Sequence, residues 1–187
     1  MPAPLLPREA VIDRLLGAFR RHGYDAASLG QLSTATGLGR SSLYHYFPGG
    51  KEEMARAVLD RANAWAHGAI LEPIRGSGTV DSRLKQVIAA LDEFYAGGAE
   101  ACLLGNLVVG DARNLFQDRL GASFRELIDG FARLAKEQGV PTREAQRRAE
   151  DAVVRIQGAL ILARGMDDVT PFRRVLKALP RQLLAIN

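Results

Sequence analysis

The stretch SLGQLSTATGLGRSSLYHYF, residues 28–47, carries the most informative pattern in the chain. It indicates two short helices separated by Gly37-Leu38-Gly39. Ser28 and Gln31 have the spacing of a capping box, in which the serine side chain accepts a backbone N–H bond and the glutamine side chain reaches back. Gly37 stands where a helix ends in a left-handed residue, a conformation that costs glycine little. This layout predicts a helix-turn-helix, the motif that places its second helix against DNA.

The second helix of this motif is polar on its predicted outer side. Leu43 and Phe47 lie four residues apart and are expected to face inward. No Asp or Glu lies between Asp25 and Glu52, so no carboxylate in this stretch repels phosphate. Hydroxyl, imidazole, guanidinium and ammonium groups can donate to phosphates and base edges. The residues predicted to contact DNA are Ser28, Arg40, Ser41, Ser42, Tyr44, His45, Tyr46 and Lys51.

Lys51 belongs to that set because it begins the next helix. Its charge and the free amides of a first helical turn would both favour an anion.

Three segments, AFRRHGY (18–24), LSTATGLGRSSLYHYF (32–47) and the turn PGGKEEM (48–54), resemble TetR/AcrR-type transcriptional regulators. Two positions depart from the family pattern: Gly39 stands where Ser or Thr is usual, and Ser41 stands where Gly is frequent. Pro48-Gly49-Gly50-Lys51 has one residue more than the commoner turn, and in this it resembles the LmrA/YxaF-like subgroup. The resemblance implies a ligand-responsive repressor that binds a palindromic operator as a dimer and is released by a small molecule. The sequence leaves open whether the protein is an activator, and whether its ligand promotes DNA binding instead of releasing it.

Length and composition agree with a regulator that binds DNA. The chain has 187 residues, 47% of them hydrophobic, and a formal net charge of +4, which favours DNA binding without demonstrating it. No apolar run reaches membrane-spanning length, and MPAPLLPREA lacks the features of a signal peptide. Cys102 is the one cysteine, which rules out an internal disulfide and fits a reducing compartment. We therefore expect a cytoplasmic protein.

Helical periodicity and turn residues predict an all-α fold throughout. We expect an N-terminal three-helix DNA-binding head over residues 1–50 and a larger helical ligand-sensing and dimerisation domain over residues 51–187. A helix from about 51 to 72 should connect them. Further caps are predicted at the Asn114 and Gln117 pair, at Thr142 and at Thr170-Pro171.

Two apolar stripes near the C-terminus predict a helix pair. Small residues allow close helix approach, and two such helices from each chain can form a four-helix interface about a two-fold axis. Periodicity alone allows the same stripes to seal the core of one chain. The resemblance favours dimerisation through them. The predicted interface residues are Ala152, Val153, Ile156, Ala159, Leu160, Ala163, Phe172, Val175, Leu176, Leu179 and Leu183.

The resemblance also implies an effector pocket in the middle of the chain, between about residues 63 and 131. Pockets for small molecules are mostly apolar with a few polar anchors, so the expected effector is apolar or amphipathic. The predicted wall residues are Trp65, Phe94, Tyr95, Leu103, Asn106, Leu107, Phe116 and Phe124. No spacing typical of a metal site, a cofactor site or paired catalytic carboxylates stands out.

Two other function classes compete with the regulator. An enzyme could use Cys102 with His22, His45 or His67 as nucleophile and base, but Cys102 lies in an apolar run, as structural cysteines do. The chain could instead be a non-DNA helical dimeric module for protein interaction. Salt sensitivity and competition between operator and random DNA would separate that module from a DNA-binding protein.

Overall fold

The computed structural model describes residues 6–185; the ends of the two predicted domains at residues 1–5 and 186–187 lie outside that range. Residues 6–185 are helical and contain no strand, which confirms the predicted all-α class. The helices are α1 (Arg8–Ala26), α2 (Leu29–Thr36), α3 (Arg40–Tyr46), α4 (Gly50–Ala66), α5 (Glu72–Arg75), α6 (Val80–Phe94), α7 (Leu103–Leu107), α8 (Ala112–Glu137), α9 (Thr142–Met166) and α10 (Thr170–Leu184). A π-helical turn, His67–Leu71, joins α4 to α5, and a 3-10 turn, Ala96–Gly98, follows α6.

The first of two compact units, here called the head, comprises residues 6–64 and 103–117 of the described chain. It differs from the domain predicted to end at residue 50. Most of α4 belongs to the head because Met54, Val58 and Leu59 are completely buried. Residues 103–117 belong to it because α7 packs against α1.

The second unit, here called the body, comprises residues 65–102 and 118–185. α9 packs along α10. Arg83 of α6 is 5% exposed and bonds two other parts of this unit: Nη1 donates to the Ile74 carbonyl at 2.6 Å, and Nη2 pairs with Glu137 at the end of α8. A buried guanidinium needs such partners because desolvation of the charge is costly.

A glycine in the 3-10 turn after α6 is required for packing. Gly98 has φ +106, and a Cβ added there would lie 2.8 Å from Phe172 Cβ of α10. The missing side chain therefore allows the turn after α6 to approach the completely buried Phe172.

Of the predicted N-terminal caps of α2, α8 and α9, the structure confirms that of α2. Both bonds of the Ser28–Gln31 capping box are present, at 3.2 and 2.8 Å. α8 begins at Ala112, ahead of Asn114, so the predicted capping pair at Asn114 and Gln117 is wrong. The predicted cap at Thr142 is also wrong, because Thr142 is itself the first helical residue and Pro141 precedes it.

The start of α10 is capped by a residue two positions earlier than expected. Asp168 Oδ1 accepts the Thr170 N–H at 2.9 Å, so the aspartate, and not Thr170, supplies the cap. Pro171 lies in the first turn of α10, where its missing N–H has no helical partner to lose.

Candidate nucleic-acid interface

The turn between α2 and α3 is held by hydroxyl groups. Thr36 Oγ1 donates to the Leu32 carbonyl at 2.8 Å, and the Ser33 hydroxyl donates to the Leu38 carbonyl beyond the turn. Gly37 has φ 73 and ψ 15, the left-handed conformation expected at a helix C-terminus. Arg14 of α1 adds a long-range bond from Nη1 to the Thr36 carbonyl at 2.5 Å. The turn is therefore fixed both locally and to the first helix of the head.

α3 has an apolar inner side and a polar outer side, as predicted. Leu43 and Phe47, which directly follows α3, are both completely buried. Arg40, Ser41, Tyr44 and His45 are exposed, Tyr44 to 45%, and Ser42 is half-buried. Gly39 supplies no side-chain cap to α3.

Two of the predicted DNA contacts have roles inside the head. The Tyr46 hydroxyl donates to the Leu6 carbonyl at 2.6 Å, so its proton is not free for a phosphate. Lys51 is half-buried; its Nζ donates to the Asp25 carbonyl at 3.2 Å and lies 4.5 Å from the centre of the Tyr24 ring. The ammonium group thus binds the C-terminal end of α1.

The expected anion position at the start of α4 holds a carboxylate of the chain itself. Glu53 Oε2 accepts the Gly49 N–H at 2.7 Å. The Tyr44 ring packs beside the same turn, with Cε1 3.5 Å from the position that a Cβ on Gly50 would take.

A groove of about 450 Å³ runs along the outer side of α2 and the end of α1. It contains the predicted Ser28, together with residues that sequence reasoning missed: Arg21, His22, Gln31 and Thr34. The cationic run Arg20-Arg21-His22 was the signal that could have indicated this extension. Arg40 reaches the same region, because its Nη2 lies 3.9 Å from the position of a Cβ on Gly30.

The segment 103–117 is bonded to the C-terminal end of α1. Asn106 Nδ2 donates to the Arg20 carbonyl at 2.6 Å, and the Asp111 N–H donates to Asp25 Oδ2 at 3.0 Å. Phe116 meets the Tyr24 ring edge-on, with centroids 6.2 Å apart. The Asn106 amide is therefore committed to the backbone of the head, which differs from its predicted role as an anchor for a ligand.

The surroundings of Tyr24 agree with its burial in the contact between α1 and residues 103–117. Burial, and after it the carboxylates of Glu52, Asp25 and Asp111, raises the pKa of the Tyr24 hydroxyl. Gly110 has φ +79, and a Cβ there would overlap the Asp25 carboxylate, so the close approach requires glycine.

The predicted wall residues of the effector pocket are divided between the two units. Leu103, Asn106, Leu107 and Phe116 belong to the head, where all but Asn106 are buried. Trp65, Phe94, Tyr95 and Phe124 belong to the body. There the half-buried rings of Trp65 and Phe94 are stacked at 3.6 Å and 10°.

The predicted interface residues on α9 and α10 are core residues of one chain. All of them are buried except Val175, which is half-buried. This placement differs from the prediction that they contact a second copy, because a side chain already buried in its own core offers a partner almost no surface. The apolar residues that α9 exposes are others, Val154 (68%), Ile161 (71%), Leu162 (52%) and Met166 (61%), which sequence reasoning missed.

The residues considered for catalysis show structural contacts. Cys102 is buried, and its sulfur accepts a hydrogen bond from the Tyr95 hydroxyl at 3.5 Å. His67 is exposed and faces Glu126 at 3.8 Å. Across residues 6–185, no three His, Cys, Asp or Glu side chains converge in a way that could hold a metal ion. In the same range, no helix has the length and apolar character needed to cross a membrane.

Two family models match the chain. Residues 11–58 match the model for bacterial regulatory proteins of the tetR family. Residues 80–178 match the model for the C-terminal domain of LmrA/YxaF-like transcriptional regulators. The matches cover both halves of the helix-turn-helix and most of the body.

Similar proteins carry corresponding descriptions. An uncharacterized HTH-type transcriptional regulator of Mycobacterium tuberculosis is 28% identical over 187 residues, covering 96% of this chain and 95% of the relative. A TetR transcriptional regulator from Legionella pneumophila has the same fold, with TM-score 0.78, 19% identity and coverage of 96% and 97%. The TetR family regulator CifR, solved as a cysteine mutant complexed with 26 bp operator DNA, has TM-score 0.75, 18% identity and 98% coverage of both chains.

Proposed function

Because this chain belongs to the TetR family of bacterial transcriptional regulators, with a C-terminal domain of the LmrA/YxaF-like type, we propose that it is a repressor controlled by a small molecule. It binds a palindromic operator as a homodimer and leaves the DNA when an effector binds. The observation that carries the proposal is α3, whose outer side exposes Arg40, Ser41, Tyr44 and His45 above a buried Leu43.

Sequence readout is assigned to the exposed side of α3. Arg40 can bind a guanine edge or a phosphate, and the Tyr44 ring and hydroxyl can meet a thymine methyl and a base edge. Ser41, Ser42 and His45 donate to phosphates or bases. Ser28 and the groove along α2 are assigned to the backbone, which positions the head without reading sequence.

Dimerisation is assigned to the exposed apolar side of α9, here called the α9 outer face: Val154, Ile161, Leu162 and Met166. These residues recur at helical spacing, and Gly158 and Gly165 between them have no atom within 4 Å of a Cβ position. Such a face exposes apolar area that a second copy would bury, and glycines allow two helices to approach closely. A palindrome requires two heads related by a two-fold axis, so this face suits the reading of an operator.

Effector sensing is assigned to the stacked pair Trp65 and Phe94 in the body. Aromatic surface that remains half-buried can bind an apolar ligand. The response is assigned to residues 103–117, which are joined to α1 through Asn106 and Asp25. An effector that favours one arrangement of this segment over another would change the DNA affinity through its differential binding, by about 1–3 kcal/mol in typical systems.

The test is fluorescence anisotropy of the full-length protein on duplexes tiling the non-coding DNA beside its own gene, with random duplex as the control. We expect tight binding to one palindromic fragment with two chains per duplex, and loss of affinity as salt rises. Binding of equal strength to all fragments would contradict a specific regulator. Absence of binding even at low salt would contradict the DNA-binding assignment and favour a protein-interaction module.

A matched pair of tyrosines on α3 tests the readout. Tyr44→Ala should reduce the preference for operator over random DNA by about 1–3 kcal/mol, the range of one specific base contact. Tyr46→Phe removes only the bond to Leu6 and should leave this preference unchanged. Unchanged specificity in the Tyr44 variant would remove that residue from the interface.

Trp65 provides the effector assay, because it is the one tryptophan in the chain. Apolar compounds that release operator DNA should quench or shift its emission at the same concentrations. In Phe94→Leu the emission response and the release should weaken together. Release that persists with no change in Trp65 emission would place the effector elsewhere.

A further inference from the structure

The body contains a groove lined by charged side chains. These side chains have no role in the repressor function proposed above. The groove has a volume of about 310 Å³ and lies between the N-terminal half of α9 and the end of α10. α9 contributes positions 144, 147, 148, 151 and 155, which share one side of that helix. The charged residues that line it are Glu144, Arg147, Arg148, Asp151, Arg155 and Arg181.

The two carboxylates of the groove are paired with two of its arginines. Glu144 Oε1 accepts from Arg148 Nε and Arg147 Nη2, each at 2.7 Å, and Arg147 Nη1 donates to Asp151 at 2.9 Å. Hydrogen bonds from Arg147 and Arg148 lower the pKa of Glu144 to about 2, so this carboxylate is ionised near neutral pH. Arg148 also donates to the Ala185 carbonyl, which fixes it at the end of the groove.

Arg155 and Arg181 have no carboxylate partner among residues 6–185. The groove thus holds four guanidinium groups and two carboxylates. Guanidinium groups do not lose their charge in proteins, so two positive charges are left uncompensated in a concave site. The net positive charge of this concave surface attracts anions.

We propose that this groove binds a small, multiply charged oxyanion, of the phosphate or polycarboxylate class, between Arg155 and Arg181. Each guanidinium presents a planar fork that matches two oxygens of such an anion. Arg147 is bonded to Glu144 and Asp151, and Arg148 to Glu144, so these two arginines shape the groove and add long-range attraction. The volume fits a small metabolite rather than a polymer.

The experiment is isothermal titration of the full-length protein with inorganic pyrophosphate at constant ionic strength. We expect saturable binding to the wild type and affinity at least about tenfold weaker in Arg155→Gln and in Arg181→Gln, since each removes charge-assisted hydrogen bonds. Arg181→Lys keeps the charge without the fork and should lie between wild type and Arg181→Gln.

Two controls separate this groove from other cationic surfaces. Arg113→Gln and Arg125→Gln each remove one charge from the exposed surface of α8, outside this groove; both should bind pyrophosphate as the wild type does. Equal weakening in either control would overturn the proposal, because it would show binding to overall charge. Titration curves unchanged in the Arg155 and Arg181 variants would overturn it as well. Failure of Arg155→Gln to self-associate, measured by sedimentation, would show that a second copy already fills the groove and would also overturn it.

Discussion

The turn between α2 and α3 and the surface of α9 are specified in different ways. At the turn, Ser33, Thr36 and Gly37 bond within a few residues of one another. On α9, apolar side chains occur on two sides of the helix: Ile156 is 4% exposed in the core and Ile161 is 71% exposed. Hydrogen bonds between near neighbours fix one local geometry. An apolar stripe indicates only that one side of a helix is buried, and it does not identify the surface that covers it.

The difference explains which predictions agree with the structure. The capping box at Ser28 forms because its partners are three residues apart. The stripe on α9 that seemed to suit a second copy is buried against its own chain instead.

Substitutions on the two sides of α9 should differ most in their effect on stability. Ile156→Ala should lower the free energy of unfolding by about 2–5 kcal/mol, because it leaves a cavity in the core. Ile161→Ala should change it by about 0.5 kcal/mol or less in dilute, monomeric protein. Instead it should weaken self-association, measured by sedimentation equilibrium. Equal destabilisation by the two variants, with unaltered self-association, would show that α9 has no outer interface.

The second effect contrasts a long-range ion pair with a local one. Glu137→Gln should destabilise the protein by about 1–3 kcal/mol at neutral pH, because it weakens the bonds to the buried Arg83. Glu144→Gln, whose partners are three and four residues away on the solvent-accessible side of α9, should change the melting temperature little.

The pH dependence of this pair has a definite sign. Hydrogen bonds from Arg83 and then Arg133 lower the pKa of Glu137 below its ordinary value of 4.5. Its stabilisation is therefore complete above that value and is lost as the pH falls below it towards the lowered pKa. Melting temperatures of wild type and Glu137→Gln should converge on acidification, with Glu93→Gln as the control. A gap that stays constant down to low pH would contradict the ion pair.

The third effect tests the long-range bond from Arg14 to the turn. Arg14→Met removes the donor to the Thr36 carbonyl but keeps an apolar stem, and should cost about 1–2 kcal/mol. It should also reduce operator affinity, because α3 is then held only by local bonds. Chemical denaturation would measure the stability, and fluorescence anisotropy would measure the operator affinity. Wild-type values in both would show that local bonds suffice to fix the turn.

The smallest effect concerns the capping box. Ser28→Ala should cost about 0.5–2 kcal/mol, the range of helix N-caps. The matched control is Thr34→Ala on the same helix, whose hydroxyl bonds the Gly30 carbonyl at an exposed position and should be nearly neutral. A Ser28 variant as stable as the control would show that Gln31 alone holds the start of α2.

Much of the candidate interface could be predicted from the sequence. Leu43 inside and Arg40 outside follow from helical periodicity within one short segment. The roles of Tyr46 and Lys51 could not be predicted, because their partners Leu6 and Asp25 are 40 and 26 residues away. A donor that looks free in the sequence can be occupied by backbone from another helix.

The all-α class, the helix-turn-helix and its polar outer side could be predicted from the sequence, because caps, turns and periodicity depend on near neighbours. Long-range packing sets which side of α9 is core, and it places residues 103–117 in the head. It also gathered Arg155 of α9 and Arg181 of α10 into one groove. These outcomes depend on packing and charge between segments that are far apart in the chain. An apolar stripe or an arginine has several possible partners in the sequence, and only the folded structure shows which of them it contacts.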